Sequence, residues 1–221
     1  KVIPAPDGKG VLWELSGKSA EKITMKTKEA KAAWIYTRPQ PVSGNSIYYA
    51  SNSKLTLVQS FKFNKATGKK ITLTTAPSKS YPGDGAFTLV NAVQNEKGLA
   101  KSKEFLGFSG ADCEAVIDLG KEETISNVTV HALRQTGSWI WRPLTTEVFV
   151  SADGTNFTSA GLTDDFTVTQ PGLEKGNMNI AFESRKARFV KLVVKNWGEI
   201  PAGEPGAGNK AWLFVDEVEI N

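Results

Sequence analysis

Apolar and polar residues alternate along most of this chain with a period of two. Lys22-Ile23-Thr24-Met25-Lys26, Trp34-Ile35-Tyr36-Thr37, Lys54-Leu55-Thr56-Leu57-Val58 and Lys70-Ile71-Thr72-Leu73-Thr74 each read as a short strand, because successive strand side chains point to opposite faces. The same alternation returns at Ala115–Leu119, Val128–His131, Glu147–Val150 and Phe189–Val194, and in Trp212–Val215 running into Val218 and Ile220. Turn-forming clusters such as Pro82-Gly83-Asp84-Gly85 and Asp153-Gly154 punctuate the runs. No segment carries a helical period over three turns. The pattern predicts an all-β protein. Strands returning roughly every 10–15 residues favour β-sandwiches, although periodicity does not by itself separate a sandwich from a barrel.

Composition narrows this picture. With 221 residues, 40% hydrophobic and 23% charged, the chain has the make-up of a folded globular protein. No run nears the roughly 18 apolar residues of a membrane helix, so no membrane span is expected. The sequence opens at Lys1 without a signal-peptide pattern, as a mature product or an excised piece would. A single cysteine, Cys113, excludes an internal disulfide and multi-thiolate zinc sites, and a single histidine, His131, leaves one candidate for base catalysis. Charge is uneven: residues 1–80 hold 14 Lys or Arg against 4 Asp or Glu, a balance of +10, and residues 81–221 hold 13 against 19, a balance of −6. The basic lysines are scattered between strand residues, which fits solvated strand faces better than a nucleic-acid surface, and no nucleic-acid partner is expected. The change of sign, with the polar turn Asn64–Lys70, predicts two units: a small immunoglobulin-like or fibronectin-like β-domain over residues 1–67 and a larger sandwich over residues 68–221.

Candidate chemistry lies in the aromatic loops. In Gly137-Ser138-Trp139-Ile140-Trp141-Arg142-Pro143, an extended backbone would send both tryptophans to one side and Ile140 to the other. Such aromatics offer flat platforms for the C–H faces of hexoses, with His131 and Arg134 near enough in sequence to bond ring hydroxyls. Capping the end of the sandwich is the alternative use for either tryptophan, and both readings stay open. A second loop carries Asn196 and Trp197 and runs on through a Gly/Pro-rich stretch to Asn209; Trp212 reads as core. His131 fits a structural role as well as a ligand contact. Asp216 and Glu217 are adjacent on a strand, so their side chains face opposite ways and cannot flank one glycosidic bond. Asp216 or Glu217, with Asp84 of the Gly83-Asp84-Gly85 turn contributing, suits calcium instead, an ion that favours oxygen ligands. No cofactor is required by any of these features.

The motifs also carry a resemblance. Gly107–Gly110, Ala115–Gly120, Ile125–Val128, Glu147–Phe157 and Ala187–Leu192 resemble the discoidin or coagulation-factor-5/8 type C domain, whose bacterial members include family-32 carbohydrate-binding modules. Gly137–Pro143 and Ala211–Val218 look like the carboxy-terminal region of bacterial family-20 β-N-acetylhexosaminidases, the chitobiases. Trp34–Thr37, Ser46–Tyr49 and Lys54–Leu57 resemble the small fibronectin-III-associated domain that precedes the module there, with Arg38-Pro39-Gln40-Pro41 in place of its usual turn. The resemblance implies a discoidin-like jelly-roll sandwich with a sugar site in the loops at one end. By this reading His131 matches a sugar-contacting histidine and Glu114 an acidic contact, with Arg134, Trp139 and Trp141 nearby. Glu217 matches a glutamate that holds structural calcium, while Leu89-Val90-Asn91-Ala92 departs from the early calcium turn. The function implied is a non-catalytic accessory region of an exported hexosaminidase, holding a separate catalytic barrel near glycans that bear N-acetylhexosamine or galactose. A structural spacer without a working sugar site is the alternative.

Overall fold

The computed structural model describes residues 64–95, 104–169, 172 and 174–221 with their side chains, and the backbone alone at Gln170 and in six short strands. Those six are β1 (Val2–Pro4), β2 (Val11–Trp13), β3 (Ala20–Lys28), β4 (Ala32–Ile35), β5 (Ser46–Tyr49) and β6 (Lys54–Phe61). They pair antiparallel as β1 with β2, β3 with β6 and β4 with β5. The rest of the small domain expected over residues 1–67 lies outside the described residues, apart from Asn64–Thr67.

Nine strands follow: β7 (Lys70–Leu73), β8 (Gly83–Ala86), β9 (Leu106–Ser109), β10 (Cys113–Leu133), β11 (Thr146–Ser151), β12 (Thr158–Thr163), β13 (Thr167–Gln170), β14 (Lys175–Val194) and β15 (Trp212–Ile220). Apart from β8 they form one antiparallel sheet that folds over on itself. Two long strands carry it through both layers. The first part of β10 pairs with β7 and with the end of β14, which also pairs with β11, and β12 closes that layer. The second part of β10 pairs with the start of β14 and with β15, flanked by β13 and β9. The fold between the layers falls at register shifts after Asp118 and Ile125. Gly120 sits there at φ 83°, a left-handed conformation that glycine adopts without strain. The polar Lys121-Glu122-Glu123 run is solvated at this bend. The protein is all-β, a sandwich of antiparallel strands, and among the described residues no helix is long and apolar enough to cross a membrane.

The alternating pattern decides the core. Ala115, Ile117 and Leu119 of β10, Val190 and Leu192 of β14 and Val148 of β11 pack against Val128, Val130, Met178, Val215 and Val218 of the other layer, all at most 1% exposed. Burying such side chains stabilises a fold by roughly 1.5–3 kcal/mol each. Ala66 joins this core, and Lys65 N donates to Ile220 O at 3.0 Å, tying residues 64–66 to the last strand. A second cluster of Phe105, Leu133, Ile140 and Phe214, with Tyr81 and Trp212 against it, closes one end.

Because β10 doubles back, Cys113 and Leu133 come to the same end of the sandwich, together with Val194 and Trp212. The 134–145 and 195–211 loops therefore meet there.

Candidate functional site

The 134–141 loop is pinned at both sides. Gln135 and Ile140 exchange backbone hydrogen bonds at 2.8 and 3.2 Å, Trp141 N donates to Trp212 O at 2.9 Å and Trp212 N to Trp139 O at 2.8 Å. A turn of 3-10 helix over Thr136–Ser138 leaves Trp139 at φ 63°, a conformation a bulky residue adopts only when its surroundings impose it. The extended geometry expected from the sequence is thus broken at Trp139. Its indole, 40% exposed, lies over Gly206 of the second loop, while Trp141 packs against Trp197 instead. Ile140 faces the core as expected, 2% exposed.

The second loop is held by side chains near its start. Asp112 Oδ1 accepts from Asn196 N at 2.9 Å and Oδ2 binds Lys195 Nζ at 2.7 Å, a bond that raises the Lys195 pKa. Asn196 Nδ2 donates to Phe108 O and Ala211 O, both at 3.1 Å, and its Oδ1 accepts from Gly198 N at 2.9 Å. Trp197 Nε1 donates to Arg142 O at 2.9 Å, locking one loop to the other.

Between the loops lies a cleft of about 600 Å³, a volume suited to a small ligand. Trp141 and Trp197 form an aromatic wall, with ring centroids 5.1 Å apart and planes tilted by 51°. Arg134, Arg142, Glu174 and Glu204 line it with charged residues, and Gln135, Thr136 and Gly137 complete the lining. Arg134 Nε donates to Glu174 Oε2 at 2.7 Å, Nη2 reaches the same oxygen, and the two backbones are joined as well. The Arg142 guanidinium lies 5.5 Å from the Trp197 ring centroid. Trp141 Nε1 is buried without a partner among the described residues.

Of the residues singled out in the sequence, the structure brings Arg134, Trp141 and Trp197 to the cleft. Trp139 stands beside it on the Gly206 loop. The structure does not bring Asn196, His131 or Glu114 to the cleft. Asn196 is buried, its amide engaged by the loop backbone. His131 is 7% exposed, with Nε2 3.0 Å from Glu219 Oε1 and 3.1 Å from Gln94 Nε2. Glu114 lies beside Lys191 on a sheet face, Oε1 to Nζ 2.5 Å. Arg142, Glu174 and Glu204 escaped sequence reasoning as site residues. Arg142 had a signal, since it follows Trp141 directly. Glu174 is 40 residues from its partner Arg134 and had none.

No protein-family model and no curated protein sequence matches this chain. Solved structures similar to it include carbohydrate-binding modules. One is the chitosan-binding module 1 of a chitosanase/glucanase from Paenibacillus sp. IK-5, at 17% identity and TM-score 0.44, covering 72% of this chain and 98% of that one. Another is a Streptococcus pneumoniae fucose binding module, at 16% identity and TM-score 0.47, covering 72% and 94%. A third is CpGH89CBM32-5 of Clostridium perfringens in complex with GalNAc-β-1,3-galactose, at 19% identity and TM-score 0.44, covering 68% and 93%.

The expected calcium residues lie away from the cleft. Asp84 N donates to Thr88 Oγ1 at 2.7 Å, and the short 3-10 helix over Phe87–Val90 packs on β15, which carries Glu217. Glu217 is 1% exposed. Its Oε2 accepts from Ala92 N at 3.1 Å, and its Oε1 has no partner among the described residues. Asp216, fully buried, accepts from Asn95 N at 2.6 Å. Burial pushes both carboxyls above their ordinary range, Glu217 further through its neighbours Asp216 and Glu219. Among the described residues no three His, Cys, Asp or Glu side chains converge as a metal cluster.

Proposed function

We propose that this chain is a carbohydrate-binding module whose sugar site is the cleft between the 134–142 and 195–211 loops. The observation that carries this reading is the Trp141–Trp197 wall in a cleft of about 600 Å³ also lined by the arginines Arg134 and Arg142. An aromatic surface stacks on the apolar face of a hexose, while guanidinium N–H groups bond its hydroxyls. A single-sugar site of this kind binds with Kd of about millimolar to micromolar. Its use is to raise the local concentration of an attached enzyme at its substrate.

The finer reading rests on the sequence resemblance. In it, the module is the non-catalytic end of an exported family-20 β-N-acetylhexosaminidase, the first 67 residues form a separate small β-domain, and the ligands bear N-acetylhexosamine or galactose. Titration with N-acetylglucosamine, N-acetylgalactosamine and galactose, followed by tryptophan fluorescence and calorimetry, tests the site. Saturable binding of one sugar that falls at least about tenfold in Trp197→Ala supports it. No response to these sugars or to longer glycans removes it.

The Trp197 N–H committed to Arg142 O, with the buried positions of His131 and Asn196, favours a second reading. In that reading the two loops form a rigid end cap, and the module is a spacer or protein contact.

A structural calcium near Glu217 belongs to this proposal. The unpartnered buried Glu217 oxygen suits a hard cation that takes 6–8 oxygen ligands, and Asp84 stands on β8, which leads directly into the helix that packs on β15. Bound calcium would supply the positive charge that this buried acid lacks. Calcium added to chelator-stripped protein is then expected to raise Tm in the wild type and not in Glu217→Gln. Equal melting with and without calcium in the wild type removes the cation.

A further inference from the structure

The two arginines of the cleft are in different states. Arg134 has both Nε and Nη2 on Glu174 Oε2, so its charge is met and that edge of its guanidinium is spent. Arg142 is held only by neutral groups. Its Nη1 donates to Pro143 O and Asp164 O, each at 3.0 Å, and its plane lies near the Trp197 ring. Asp164 contributes its backbone carbonyl there, and among the described residues no carboxylate lies within ion-pair distance of Arg142. The Nε–Nη2 edge accordingly donates to no group among the described residues. Two carbonyls and an indole fix this half-buried guanidinium at the wall of the cleft. Its free edge is the planar fork that binds a carboxylate through two parallel hydrogen bonds. Much of the entropy of ordering the side chain is lost before any ligand arrives.

We infer that the cleft selects a sugar carrying a carboxylate, of the uronic-acid class, with Arg142 Nε and Nη2 gripping the carboxylate and Trp141 and Trp197 facing the ring. This rests on the reading of the cleft as a sugar site. One group opposes it: Glu204 is exposed on the second loop and lines the same cleft. Its charge sits in bulk solvent, where high dielectric and salt screen it, whereas Arg142 is partly shielded from both. Glu174 is neutralised by Arg134.

The experiment compares ligands first on the unmodified chain and then on two variants. Galacturonic acid, its methyl ester and galactose are titrated by calorimetry at low and high salt, with galactose 6-sulfate as a further arm. The acid is expected to bind about tenfold or more tightly than the ester or galactose, with the advantage shrinking as salt rises. In Arg142→Gln the acid-to-ester ratio falls to about one, and in Glu204→Gln it rises. Equal affinity for acid, ester and galactose overturns the inference while leaving the sugar-site reading intact. Preference for the sulfate over the uronate overturns the assignment to a carboxylate. Binding of none of the four, nor of the N-acetylhexosamines, overturns both.

Discussion

Cys113 opens β10 with its thiol buried, and that burial, helped by the charge of Asp112, pushes its pKa up to about 12. The thiolate is the reactive form, so the native protein at pH 8 is expected to resist a chromogenic disulfide reagent until it unfolds. Labelling followed across a denaturant series checks this, and rapid stoichiometric labelling of native protein contradicts it. The sequence supplied one cysteine, two residues ahead of the alternating run Ala115–Leu119, and the structure extends that strand to include it. The sequence did not supply the depth, which depends on the second layer packing over the strand. The tryptophans divide in the same way. Their concentration in two loops was legible, and so was the alternative that they pack. Which of them meets which was not, because the left-handed turn at Trp139 arises from hydrogen bonds to Trp212, 73 residues away.

Strands were visible wherever one face is buried and the other wet. The runs at 115–119 and 128–131 are two ends of one strand, β10. The link between them is polar because it is solvated at the bend, and period-two reading stops there. β12 reads weakly for a related reason: as an edge strand its outer positions are exposed, with Leu162 59% exposed. Loops show the reverse: Asn196 looked like a ligand contact and instead ties the backbone of β9 to the residue just ahead of β15. Asn196→Ala leaves the carbonyls of Phe108 and Ala211 without this donor. It is expected to cost about 1–3 kcal/mol, lowering Tm by roughly 2–4 °C per kcal/mol for a chain of this size. Thermal unfolding measures it, and an unchanged Tm contradicts the clamp.

Across the whole molecule, pH acts in two opposite senses. Asp118 is held below its ordinary range by side-chain hydrogen bonds from Arg188, and its contribution is present above the unfolded pKa and lost as acid protonates it. Glu217 and Asp216 are raised, so the folded state binds their protons more tightly than the unfolded chain does. Stability from these two is greatest at low pH and is lost as pH rises from the ordinary carboxyl range through their raised values. Chelator-treated protein is therefore expected to lose stability from mildly acidic to neutral pH. Glu217→Gln should flatten that decline and raise Tm by a few degrees at neutral pH, the scale of about 1 kcal/mol. Denaturant midpoints across pH test it, and parallel profiles for the two proteins would count against it.

The all-β class and most strand cores follow from the sequence alone, because a strand that buries one face must alternate regardless of which strand lies beside it. Turn chemistry is equally local, since glycine tolerates left-handed backbone wherever it stands. The cleft is not local. Arg134 meets Glu174, Trp141 meets Trp197 and Arg142 meets the Asp164 carbonyl only because β10 and β14 fold back and bring distant loops to one end of the sandwich. Burial of the carboxylates on β15 is likewise a property of the packed layers. Strand period is written residue by residue, but the partners of each charged or aromatic side chain are chosen by the tertiary structure.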